Sequence, residues 1–244
     1  EDKANPHADL VGKTLCELAR ALSEELGAGS ETGDRRDPKT VLKHVMPSLN
    51  KSVDRLGIHG RRETIESFVL LVTRDNPTLV QILMAPRHPA FLVLMRMLAE
   101  SHDKAIVELI LSFLDDKGAP SAILSVASKR SDLGFIRCLL EKIGDRPSPL
   151  LEHNLKRMGA VAWLAAGVEV IERLNDAEQH SAVKLAMLSR TARADAFSLI
   201  RQILTDGLPA GRVAASEALN EFNGAEANAL TMAALGDPEP QVQA

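Results

Sequence analysis

An apolar residue followed two positions later by Asp recurs through the second half of this chain at a nearly fixed interval. The pairs are Leu114/Asp116, Ile143/Asp145, Leu174/Asp176, Leu204/Asp206 and Leu235/Asp237, and the Asp positions are separated by 29, 31, 30 and 31 residues. Four residues before each anchor stand Ile110, Leu139, Val170, Ile200 and Thr231; eight before stand Ile106, Phe135, Ala166, Ala196 and Ala227. That is helical spacing, so each unit should hold a first helix, a turn and a second helix ending at the anchor. A helix pair of about 30 residues cannot bury both of its faces alone, whereas pairs stacked side by side shelter each other. An ordinary bundle has no reason to keep four spacings within two residues. The Asp after each anchor is expected to cap the first helix of the next unit.

Strand signals are absent: no stretch alternates apolar and polar residues for long. Helical periodicity runs throughout, as in Phe135, Cys138, Leu139 and Ile143. Proline suits the first helical turn, where its missing N–H is not needed. Asn5-Pro6, Asp37-Pro38, Asn76-Pro77, Ser148-Pro149 and Asp237-Pro238 each set a capping side chain before it. The expected class is therefore all-α, with short turns making successive helices antiparallel neighbours. Residues 1–87 form a divergent N-terminal helical region with a Gly-rich polar connector at 27–37, the expected mobile segment. Its first helix covers 6–26, with Leu10, Leu15, Leu18, Leu22 and Leu26 along one stripe, and Pro47 should kink or break the next. Residues 88–244 hold about five repeats, and the chain ends at what reads as the start of another.

Near the C-terminus the residues become more specific. Asp237-Pro238-Glu239-Pro240-Gln241-Val242-Gln243-Ala244 resembles the opening of a HEAT repeat's first helix, with Gln243 where Arg is usual. Val213 to Leu219, with the sequence VAASEAL, resembles the Ala-rich body of the preceding first helix. The close match covers about residues 208–244; residues 88–207 share the period but not the consensus. The resemblance implies a right-handed α-α superhelix, a HEAT-like solenoid of antiparallel helix pairs. Its concave face, lined by second helices, would bind another protein or, in some members, nucleic acid.

Composition narrows the function. The 244 residues are 45% hydrophobic, enough for a core. Lys plus Arg number 29 against 33 Asp plus Glu, a net charge of -4, which argues against a dedicated nucleic-acid binder. Residues 117–176 are only mildly basic. Aromatics are 3%, so ready-made hot-spot anchors are few. The lone Trp163, set among Ala, Val and Leu, reads as core. Cys16 and Cys138 read as small buried hydrophobes. None of the seven histidines has metal-ligand spacing, and no nucleophile elbow or phosphate loop is present. The Gly57–Arg62 stretch (GIHGRR) reads as a turn followed by solvated charge. Neither catalytic residues, a metal nor a cofactor is expected.

The longest nearly apolar run, about 159–168, is too short for a membrane span. The chain opens with Glu1 rather than Met, which reads as a processed product or an excised fragment and leaves a removed export signal open. The default compartment is the cytoplasm. The expected activity is a non-enzymatic scaffold holding a protein or peptide. Its contact ridge would comprise Glu108, Ser112, Arg137, Glu141, Glu172, Ser198 and Gln202, which lie two and six residues before the anchors. The alternatives are a HEAT-like DNA-binding or DNA-repair protein of glycosylase type, and a structural spacer in a longer repeat protein. The sequence names no partner and no oligomeric state.

Overall fold

The computed structural model describes residues 8–28, 37–54, 62–166 and 168–243. Every regular element among them is helical: fifteen α-helices and one 3₁₀ turn. Among the described residues no helix is long and apolar enough to cross a membrane. The chain divides into two compact units, Glu1–Phe113 and Leu114–Ala244. Residues 29–36 of the connector, residues 57–61 of the expected GIHGRR turn and the Asn5-Pro6 start lie outside the described residues.

The first unit contains α1 (Ala8–Gly27), α2 (Pro38–Asp54), α3 (Arg62–Leu71), α4 (Pro77–Met84), α5 (Phe91–Glu100) and α6 (Lys104–Ser112). Helix α3 is its centre and touches α1, α2, α5 and α6. Six of its ten residues are buried, Ile65 and Ser67 to Leu71. Two of the proline starts are realised here. Asn76 Oδ1 accepts from the backbone N–H of Thr78 (3.0 Å) and Leu79 (3.2 Å), with Pro77 opening α4. Asp37 accepts from Thr40 N ahead of Pro38. Helix α2 continues through the exposed Pro47, so of the expected kink or break the break does not occur.

The leucine stripe of α1 is a correction. Leu10 and Leu18 are exposed, Leu15, Leu22 and Leu26 are half-buried, and the buried face set against α3 is Gly12, Cys16 and Ala19. The physical reason is close approach: a Cβ at Gly12 would lie 3.1 Å from the Glu63 side chain. The Cys16 thiol donates to Glu63 O at 3.2 Å, as does the Ser67 hydroxyl at 2.8 Å. Leucines on that face would hold the two helices apart. Burial pushes the Cys16 thiol above its ordinary pKa, outweighing the hydrogen bond from Ser67.

The second unit contains α7 (Ser121–Lys129), α8 (Leu133–Ile143), α9 (Pro149–Arg157), α10 (Ala162–Ala166), α11 (Val168–Ile171), α12 (Asp176–Leu188), α13 (Arg193–Asp206), α14 (Pro209–Leu219) and α15 (Ala225–Ala234). The first helices of successive pairs touch in order: α7 meets α9, α9 meets α12, and α12 meets α14. Among the second helices, α10 meets α13. The anchors Leu114, Ile143, Leu174 and Leu204 are buried, whereas Leu235 is exposed. Trp163 is core, at 1% exposure. In the third pair α10 and α11 occupy the place of the second helix, on either side of residue 167, which lies outside the described residues, and Leu174 follows them in a bend.

Three further expectations change. Cys138 is exposed on α8, whose buried residues are Phe135, Ile136, Leu139, Leu140 and Ile143. The equivalent Leu109 is buried because α6 packs on α3, while α8 turns that register to solvent and packs on α12. Among the described residues no helix follows Asp237-Pro238; residues 238–242 are bends and turns. Asp237 instead takes the Glu239 backbone N–H (2.8 Å) and a two-pronged contact from Arg212 (2.9 and 3.2 Å).

The anchor-following Asp residues are not the helix caps either. Asp116 accepts from Gly118 N inside a turn. The caps are Ser148 on α9 and Asn175 on α12, the latter in a capping box with Glu178. Asp176 reaches further: its Oδ1 accepts from Ala210 N at 2.7 Å, in the first turn of α14. Buried Gln179 Oε1 accepts from Leu208 N at 2.7 Å, and its amide donates to Ile171 O and Leu174 O. Two side chains of α12 thus satisfy N–H groups that α14 cannot pair internally.

Candidate functional site

A cleft of about 860 Å³ opens in the first unit. It is built where helices end. The final turn of α1 contributes Leu26 and Gly27, the end of α3 contributes Leu70 and Leu71, and α6 contributes Ala105, Glu108, Leu109 and Ser112. Leu70, Leu71, Val72 and Leu109 are buried and supply an apolar floor.

Charges of both signs surround that floor. Arg20 Nη2 lies 3.2 Å from Glu66 Oε1, and its Nε lies 3.5 Å from Asp103 Oδ2. Asp103 in turn caps α6 by accepting from Ala105 N at 3.0 Å. Arg74 Nη1 donates to Ser112 O at 2.8 Å, closing the other end of α6. Its Nε is 3.6 Å from Asp75, which is mostly exposed. Lys104 and Glu108 face each other one turn apart at 3.5 Å. An apolar floor inside a mixed-charge rim suits a peptide side chain or a short helical segment better than a phosphate group.

The ridge residues separate into groups. Glu108 and Ser112 both line the cleft, and the Ser112 hydroxyl donates to Leu109 O. In the second unit, Glu172 and Gln202 line a pocket of about 120 Å³ with Ile171, Gln179, Asp206 and Gly207. Arg137 is occupied structurally: Nη2 donates to Arg173 O at 2.7 Å and Nε lies 3.6 Å from Glu178. Glu141 and Ser198 are exposed and line neither concavity. Arg130, counted in the basic stretch, is buried; its Nε donates to Asp132 Oδ2 at 2.8 Å and its guanidinium stacks 4.7 Å from the Phe135 ring centroid. It serves packing rather than a solvated face.

Sequence reading missed Arg20, Arg74, Asp75 and Asp103. They lie outside the repeated motif, and no spacing rule links positions 20, 74 and 103; only the capping pattern Asp103 before α6 was locally visible. No group of three or more metal-ligating side chains occurs among the described residues. Compared with known proteins, the chain matches no family model, no curated protein and no solved structure.

Proposed function

We propose that this chain is a non-enzymatic interaction scaffold that holds a protein or peptide segment, and that the cleft between α1, α3 and α6 is a principal contact. We further propose that its helix pairs stack as a HEAT-like superhelix and that it works in the cytoplasm. The observation that carries the binding reading is the cleft itself: an apolar floor of Leu70, Leu71, Val72 and Leu109 framed by interleaved Arg, Lys, Asp and Glu. The successive α7–α9–α12–α14 contacts support the stacked arrangement.

The test begins with peptides selected by display against the whole chain. Their affinity is then measured for wild type and for the exchange Lys104→Glu with Glu108→Lys. Both side chains are largely exposed, and the exchange keeps their ion pair, so the fold should persist by circular dichroism. Affinity should fall about tenfold, roughly 1.4 kcal/mol. Unchanged affinity across the selected peptides refutes the cleft as the contact.

A further inference from the structure

We propose that the cleft recognises a segment placing a Lys or Arg side chain beside bulky apolar ones; this rests on the reading of the cleft as a protein-binding site. The argument begins with the ends of two helices. A helix C-terminus carries about half a negative charge and up to four carbonyls without an internal partner. The cleft is lined by two such ends, Leu26, Gly27 and Ala28 at α1 and Leu70 to Thr73 at α3. Neither helix has a basic side chain in its last turn. The last turn of α1 instead brings Glu24 to the cleft.

The cations already at the rim are committed elsewhere. Arg20 serves Glu66 and Asp103, Lys104 serves Glu108, and Arg74 gives its Nη1 to the end of α6 rather than to that of α3. Among the described residues Asp75 has the contact from Arg74 Nε at 3.6 Å and is mostly exposed. The local field therefore favours an incoming cation. An anion would meet the carboxylates Glu24 and Asp75, and the α6 N-terminus that could attract it already holds Asp103. The floor suits the aliphatic stem of a Lys or Arg, which buries its methylenes while its charged head stays at the rim.

The experiment uses fluorescence anisotropy on the whole chain with three labelled synthetic peptides of equal length. All carry the same leucines, and the remaining variable positions are all Arg, all Gln or all Glu. The Arg peptide should bind about tenfold more tightly than the Gln peptide, with the Glu peptide weakest. The paired substitution Glu24→Gln with Asp75→Asn should remove most of that preference. Equal binding of the Arg and Gln peptides, or a preference untouched by the paired substitution, overturns the inference. If the Arg and Gln peptides bind alike and the Lys104/Glu108 exchange weakens both, the cleft still binds peptides and only the charge preference fails. If no cleft substitution alters binding of any peptide, both readings fail.

Discussion

Replacing Gly211 by Ala sets two ordinary effects against each other. In a helix Ala is favoured over Gly by up to about 1 kcal/mol. Against this, a Cβ at Gly211 would stand 2.8 Å from both Cβ and Oε1 of Gln179 and 3.1 Å from Ile203 Cγ2. Normal carbon contacts are about 3.5–4.0 Å, and overfilling a packed site costs about 1–3 kcal/mol. Gln179 cannot retreat freely, because its Oε1 accepts from Leu208 N and its amide reaches Ile171 O and Leu174 O. Losing the Leu208 bond would strand a backbone N–H, at about 1–3 kcal/mol. The net expectation is a loss of about 1–5 kcal/mol, since packing and hydrogen bonding together exceed propensity. Gly134→Ala is the internal control: there the nearest atom to a new Cβ is Asp132 Oδ1 at 3.8 Å, an ordinary contact, so the change should be neutral or stabilising. Urea unfolding of both variants provides the comparison. Stabilisation by both substitutions would refute the claimed close approach of α12 and α14.

Three other outcomes are expected. Asp132→Ala removes the acceptor for Phe135 N and a partner of buried Arg130, and should cost about 2–4 kcal/mol in urea unfolding, with part regained by adding Arg130→Met; a cost no larger than an exposed cap's refutes the buried pair. The Glu239 backbone N–H, and after it Arg212, hold the Asp237 carboxyl below its ordinary value of 3.8, so its contribution is present above that pH and lost as acid titrates through the lowered folded value. Wild type should accordingly exceed Asp237→Asn in stability near neutrality and converge with it below pH 3.8; a gap that stays constant into strong acid contradicts this. A thiol reagent should label exposed Cys138 quickly and buried Cys16 only on unfolding, so Cys138→Ser should abolish the fast phase; survival of that phase places Cys138 elsewhere.

Periodicity was a good guide to burial wherever the packed face is made of large apolar residues. Ile106, Ile110 and Leu114 are all buried, as are Phe135, Leu139 and Ile143. It failed on α1, because hydrophobicity favours Leu10 and Leu18 whereas close contact with α3 selects Gly12, Cys16 and Ala19. It failed at Cys138 because a register shared with Leu109 does not carry a shared neighbour. Proline starts held at Pro77 and Pro149, whereas the described residues after Pro238 are bends and turns. The cleft was illegible for another reason: residues from positions 20 to 112 meet there through tertiary packing alone. Of the predicted ridge, only Glu108 and Ser112 fall on it.

The reach of Asp176 and Gln179 across to the start of α14 has a dynamic consequence. Greasy surfaces can slide or part gradually, but two amide protons held by side chains of another helix are released only when that helix departs. The amides of Leu208 and Ala210 should therefore exchange with deuterium in step with the opening of α12, so that fraying from the C-terminal side halts at α14 rather than passing smoothly inward.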